Sequence, residues 1–176
     1  MKDVFSAIKD RSSTRGYTPE KLTKEQIEAI LTAGLQAPTA RNEQEVHFTV
    51  VDGSQPILME IQAELLKGIN TRPANNFFYD APTVVILSGK DDFPWSTLDA
   101  GIAVQSMALA ADALGLGSLI IGCIKGAMLG EKKAEFNAAL GIPEGYSYQI
   151  AFAVGHKAVS KEPHEYSFEK NVNFVG

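Results

Sequence analysis

Residues 98–123 read LDAGIAVQSMALAADALGLGSLIIGC, and the run changes character once, at Gly115 and Gly117. Before those glycines it is Ala, Gly, Ile, Leu and Met with few polar breaks, which predicts a helix over 98–114 that is apolar nearly all round and therefore buried. After them, Ser118 to Cys123 is short, apolar and bounded by glycine, the pattern of a buried strand. Gln105, Asp112 and the glycines keep the tract short of the ~20 consecutive apolar residues that would span a bilayer. An oily helix that turns tightly into an oily strand needs further layers around it.

Those layers can be read outward on both sides. Downstream, residues 126–140 have amphipathic spacing, with Gly141 as a C-terminal stop and Pro143 beyond it. YQIAFAVG at 148–155 is the last strand, and 156–176 are charged and aromatic without a period, a tail or arm. Upstream, TVVILS at 83–88 is a continuous apolar run, as in a strand covered on both faces. Residues 71–76 are polar and turn-rich, a loop. Pro56 suits the first turn of a helix carrying Leu58, Ile61, Leu65 and Leu66 to about residue 69. HFTVVD at 47–52, closed by Gly53, reads as a strand. Thr23-Lys24-Glu25-Gln26 fits a capping box ahead of Ile27, Ile30, Leu31 and Leu35, and that helix stops before Pro38. Residues 3–9 make a short helix. Helices mixed with about four strands give an α/β or α+β layered fold.

Composition narrows the class. The 176 residues are one domain's worth, 1–176 with no linker or repeat. A chain of this length buries about 70% of its unfolded surface, enough for a core. With 45% hydrophobic and 21% charged residues it is neither disordered nor a coiled coil. Sixteen Lys and Arg against 21 Asp and Glu give a net charge of −5, with no concentrated basic face for nucleic acid. One cysteine, Cys123, excludes an intramolecular disulfide or a multi-cysteine metal site, and its apolar run suggests buried filler. His47, His156 and His164 lack metal-ligand spacing. The N-terminus lacks the apolar stretch of a signal peptide, so a cytoplasmic location without membrane contact is expected.

Three stretches carry possible chemistry. Arg11-Ser12-Ser13-Thr14-Arg15 holds two of the four arginines, flanking hydroxyls. Guanidinium forks with hydroxyls and main-chain N–H groups are what a phosphate requires. A helix C-terminus, where cations complement the dipole, would look the same. Ala37-Pro38-Thr39-Ala40-Arg41-Asn42-Glu43-Gln44 offers uncharged donors and acceptors for a heterocycle's amide edge, or makes a plain loop. Gly115 to Cys123 holds three glycines around a strand. They mark either a tight turn or a close backbone approach by a ligand. The order, helix before strand, is the reverse of a dinucleotide fingerprint. Asp91-Asp92, Asp99 and Asp112 read as solvated charges.

Taken in this order, the segments resemble the nitroreductase family of FMN-dependent oxidoreductases. Arg11-Ser12-Ser13-Thr14-Arg15 is similar to the family's R-[RHS]-S-x-[RK] motif, and 37–44 to its A-P-S-x-x-N-x-Q motif. Asp99 to Gln105, then Ala113 to Gly117, resemble its D-x-G-x-x-x-Q…A-L-G-L-G helix. Leu140 to Tyr146 resembles its L-G-I-P-x-x-Y, and Ala153 to His156 its closing strand. The resemblance implies an α+β sandwich, a mostly antiparallel central sheet flanked by helices, in an intertwined homodimer with FMN at the interface. The oily helix would then be the dimer core, and 156–176 a C-terminal arm on the partner subunit.

Carried over residue by residue, Arg11, Ser12, Ser13 and Arg15 would bind the phosphate, ribityl chain and pyrimidine edge. Pro38, Thr39 and Asn42 would reach the flavin from the other subunit. Ile121, Gly122 and Cys123 would lie along the ring, with the Gly122 N–H near N5, and Asn75 or Asn76 at its polar edge. The family often continues its second motif with P-W-x-F, where Glu45-Val46-His47-Phe48 stand here. Its tail arginine is also missing, leaving Lys157 or Lys161 for the phosphate. The implied reaction is ping-pong: NADH or NADPH reduces the flavin, and a nitroaromatic, quinone or free flavin is then reduced. Arg41 and Arg72 are candidates for a ribose phosphate. The alternatives are a dehalogenase or flavin-fragmenting relative, or a non-catalytic flavin sensor.

Overall fold

A computed structural model describes residues 2–68 and 76–176. Helix α1 (Val4–Asp10) starts on Asp3, whose carboxylate accepts the Phe5 and Ser6 N–H groups. Helix α2 (Lys24–Leu35) starts on the expected capping box, in which the Thr23 side chain accepts the Gln26 N–H and Gln26 accepts the Thr23 N–H in return. Strand β1 (His47–Asp52), helix α3 (Pro56–Leu66) and strand β2 (Thr83–Lys90) follow. The loop expected over 71–76 and the positions Arg72 and Asn75 lie outside the described residues, apart from Asn76.

Helix α4 (Ser96–Ala113) turns at Gly115 into strand β3 (Gly117–Ile121). Short helix α5 (Lys125–Met128), helix α6 (Lys133–Leu140), strand β4 (Tyr146–Gly155) and one turn of helix, α7 (Phe168–Asn171), complete the described chain. The strands form one sheet in the order β1-β2-β4-β3, antiparallel at every pairing. The fold is the α+β sandwich that the resemblance implied.

Alternation along the strands divides the core in two. Val84 and Ile86 face one side, with Leu58 and Ile61 of α3, Met128 of α5 and Phe136 of α6. Val85 and Leu87 face the other, with Ile30 of α2 and Ala103, Val104 and Met107 of α4. β2 is central and covered on both faces, so every residue from Thr83 to Gly89 is buried and no polar alternation appears in its sequence.

Four local expectations need correction. The helix expected over 126–140 is two helices. The chain breaks at Gly130, whose backbone passes so close to the Gly126 carbonyl that a Cβ would sit 2.7 Å from it. The strand expected over 118–123 ends at Ile121, leaving Gly122 and Cys123 exposed, so Cys123 is not buried filler. β4 starts at Tyr146 and absorbs an irregularity opposite Leu87 and Ser88. α4 is not buried all round: Leu98 is 55% exposed, and Gly101 and Gln105 also face outward.

Candidate functional site

The Arg11 segment is positioned by both of its neighbours. Arg11 caps α1, its N–H bonded to the Ala7 carbonyl, so the helix-end reading of this stretch is correct as far as it goes. The chain then runs beside the free edge of β3. Ser13 bridges to Ser118, and the Thr14 N–H bonds the Ser118 carbonyl at 2.9 Å. On its far side the start of the tail joins it, through Thr18 N–H to the His156 carbonyl and Ala158 N–H to the Gly16 carbonyl, both 3.0 Å. Gly117 makes this three-way approach possible, since a Cβ there would sit 2.7 Å from both Lys157 and Thr14.

The result is a cleft of ≈ 200 Å³ whose lining includes Ser12, Lys157 and Lys161 beside Lys2 and Asp10. Three of the predicted phosphate ligands, Ser12 on the motif and Lys157 and Lys161 on the tail, therefore meet. Lys157 does not point free into it, for its Nζ donates to Asp112 at 2.9 Å. Lys2 donates to the same carboxylate at 3.0 Å and to Asp10 at 3.0 Å. Asp112 is 2% exposed, which overturns its reading as a solvated charge. Burial alone would raise its carboxyl, but the bonds from Lys157 and Lys2 outweigh burial and hold it below the usual carboxylate range. Arg11, Arg15 and Lys161 make no ion pair among the described residues. In a chain of net charge −5, unpaired cations gathered on two touching segments fit an anionic group such as the FMN phosphate.

At the exit of β3, Ile121 is buried and its carbonyl accepts the Tyr148 hydroxyl at 2.6 Å. The nearest atom to a Cβ on Gly122 would be Ile150 Cδ1, at an ordinary 3.7 Å. Packing within the chain therefore does not require glycine there, and the open side faces solvent. Partial desolvation raises the Cys123 thiol above its ordinary value, the opposite of an activated nucleophile.

The second motif lies elsewhere, between α2 and β1. Ala40 to Asn42 form one turn of 3₁₀ helix. The Gln44 N–H bonds Thr39 Oγ1 at 2.9 Å, and the Ala40 N–H bonds Asp99 Oδ2 at 2.9 Å. Pro38 and Asn42 are exposed. Thr39 and Gln44 border a second cleft, of ≈ 250 Å³, with Gly34, Val46 and Phe48. Asp99 is 1% exposed, so it too is misread as a solvated charge. A hint was present in its place on the first turn of an otherwise oily helix, where a carboxylate complements the dipole. Glu45, where the family often has proline, is also buried, and neither carboxylate oxygen has a partner. Asn76 is occupied within its own turn, accepting from the Phe78 N–H at 2.9 Å and bonding Asp80.

Among the described residues no helix is long and apolar enough to cross a membrane, and no cluster of His, Cys, Asp and Glu could hold a metal ion. Comparison with known proteins supplies the family. The FMN reductase (NAD(P)H) of Bacillus subtilis (strain 168) is 28% identical over 172 residues, covering 90% of this chain and 67% of the relative's own length. A nitroreductase with bound FMN from Desulfitobacterium hafniense DCB-2 superposes over 100% of both chains with a TM-score of 0.88 and 28% identity. An FMN-dependent nitroreductase from Clostridium difficile R20291 does so over 98% of this chain and 99% of its own, with a TM-score of 0.84 and 28% identity. The Nitroreductase family profile matches residues 8–156, which takes in the Arg11 segment, the 37–44 loop and the whole sheet; the chain belongs to the Nitroreductase family.

Proposed function

We propose that the chain is an FMN-dependent oxidoreductase, drawing on NADH or NADPH and reducing nitroaromatics, quinones or similar acceptors in ping-pong order as a homodimer. The observation that carries this reading is the division of the site along α4. Asp99, near its N-terminal end, holds the 37–44 loop; Asp112, near its C-terminal end, holds Lys157. Thirteen residues of helix separate them, about 20 Å along the axis. Each half of the expected flavin site therefore stands open in one chain, and a second copy supplies the half that is missing.

Two further features favour that second copy. Leu98, Gly101 and Gln105 form an exposed stripe on α4 with half-buried Ile102 and Leu109 beside it, and a Cβ on Gly101 would meet nothing within 4 Å. The tail carries Tyr166 at 80% exposure and Phe174 at 89%, aromatic surface that a lone chain leaves in water.

In this reading Arg11, Ser12, Ser13 and Lys161 hold the phosphate and ribityl chain, and Arg15 the pyrimidine edge. Lys157 closes the same cleft while tied to Asp112. Ile121, Gly122 and Cys123 line the ring, with the Gly122 N–H serving N5. Pro38, Thr39 and Asn42 come from the second copy. Bound FMN would supply the redox chemistry, taking hydride from the nicotinamide and handing electrons to the acceptor. The protein's part is binding, orientation and the exclusion of water. The test is an anaerobic absorption spectrum before and after NADH or NADPH. A yellow protein that bleaches within seconds is expected. A colourless protein that takes up no added FMN would overturn the reading, beginning with Arg11 and Arg15.

A further inference from the structure

The loop that presents Asn42 is held in an unusual shape. Arg41 and Asn42 have φ of 56° and Gln44 has φ of 50°, so three residues within four occupy the left-handed region without being glycine. Asparagine tolerates that region; arginine and glutamine do so at a cost, and such conformations persist only where the surroundings over-determine them. Part of the restraint is internal: the Asn42 N–H bonds the Thr39 carbonyl at 3.0 Å, and the Gln44 N–H bonds Thr39 Oγ1 at 2.9 Å. These bonds shape the turn but do not aim it.

Among the described residues, two side-chain bonds connect the turn to the rest of the molecule. One is the ion pair of Glu43 with Lys90 at 3.4 Å, between side chains that are about two-fifths exposed and therefore weakly coupled. The other is the Ala40 N–H to Asp99 Oδ2 bond at 2.9 Å, made by a carboxylate that is 1% exposed and rooted in the first turn of α4. A buried, charge-assisted bond to the backbone is the stronger restraint.

We propose that Asp99 is a positioning residue for flavin binding. By accepting the Ala40 N–H it fixes the left-handed turn in the orientation that offers Pro38, Thr39 and Asn42 to the flavin held by the second copy. The proposal rests on the reading that this loop contributes to an FMN site across a dimer. Asp99 itself touches neither flavin nor substrate, and acts through Ala40.

The test compares the wild type with Asp99→Ala and Asp99→Asn. Asparagine keeps an oxygen acceptor of nearly the same size, whereas alanine removes it. The readouts are amide hydrogen exchange at Ala40 in the apo-protein and FMN affinity by fluorescence quenching. Asp99→Ala should speed exchange at Ala40 and weaken FMN binding roughly tenfold, the scale of one hydrogen bond to a charged group. Asp99→Asn should recover most of both, and it keeps the test open should the alanine variant fail to fold. Unchanged exchange and unchanged FMN affinity in a folded Asp99→Ala would overturn the positioning role. So would equal losses in both variants, which mean that packing or charge matters and the acceptor does not. Wild-type protein that binds no FMN would sink the flavin reading and this proposal with it, whereas normal wild-type binding with an indifferent alanine variant sinks the proposal alone.

Discussion

The two ends of α4 each bury an aspartate, and they use it in opposite ways. Asp99 sits in the first turn, where the helix dipole favours a carboxylate, and its partner is one neutral backbone N–H. Asp112 sits in the last turn, where the dipole opposes a carboxylate, and its partners are two ammonium groups. At the N-terminal end the helix needs no countercharge, so the acid can be spent on aiming a loop. At the C-terminal end charge must be met by charge, and the lysines that meet it lie 110 and 45 residues away in the chain. That end works as a clamp on the chain's beginning and on its tail. One residue type on one helix thus holds a single loop at one end and ties two separate segments together at the other.

The largest effect is expected from Asp112→Ala. Lys2 and Lys157 would lose their shared partner, and α1 and the start of the tail their common tie to α4. Their side chains are 37% and 30% exposed, so the stranded ammonium groups can recover water. The expected loss is about 1.5–3 kcal/mol, the range for a hydrogen bond to a charged group. At roughly 2–4 °C per kcal/mol for a chain of this size, the Tm falls by several degrees. Asp99→Asn, which keeps its acceptor, should lower Tm by less in the same melting experiment. Equal losses from both variants would mean that the clamp is no different in kind from the loop bond.

What could be read in the sequence is what a few neighbouring residues decide, and the partners of both aspartates lie far outside that range. The capping box at Thr23, the stop before Pro38 and the β-branched strand at 47–52 are all decided within a few residues, and each appears where expected. The motifs at 11–15 and 37–44 were visible for the same reason. Their placement at opposite ends of α4 was not, because it depends on how β3 and β4 return the chain to the Arg11 segment. Asp99 and Asp112 were misread because an aspartate in a helix is usually solvated, and α4 is so uniformly small and apolar that no polar face marks where its acids point. The partners that bury Asp112 sit at residues 2 and 157, beyond the reach of any local pattern. The break at Gly130 was missed because 126–140 keeps helical spacing through it, and only the close approach to the Gly126 carbonyl reveals the turn.

A pH series sharpens the contrast further. Because the folded-state pKa of Asp112 is depressed, its contribution to stability is present above the unfolded carboxyl value and is lost as pH falls through the folded one. Lys2 is raised, by its bonds first to Asp10 and then to Asp112. Its contribution is whole below the usual lysine value and is lost as pH climbs through the folded one. Asp112→Asn should therefore be less stable than wild type by a constant amount near neutrality. The gap should close below about pH 4, where an unfolded-state aspartate takes up its proton. Denaturant titrations of the two proteins across pH read the gap directly, and taking the difference removes the other carboxylates that titrate in the same range. A gap that stays constant down to pH 2 would show that the Asp112 charge is not what the clamp uses.

The smallest effect expected is also the most specific to a clamp. Lys2→Met or Lys157→Met alone removes one of two donors from Asp112 and leaves the other, so each should destabilise by less than about 1 kcal/mol, since each lysine is about one-third exposed and water screens its end of the pair. Removing both is a different event, because Asp112 then stands buried near the negative end of a helix with no cation at all. The double variant should fall below the sum of the singles by about 0.5–1 kcal/mol, the low end of the coupling between groups that share a partner, because both lysines are part-exposed. Strict additivity in that cycle would mean that each lysine acts through its own contacts, Lys2 through Asp10 and Lys157 through the packing of its stem against Gly117, and that Asp112 does not join them. Coupling confined to the Asp112 background, and absent when the cycle is repeated in Asp112→Asn, would place the junction at that carboxylate.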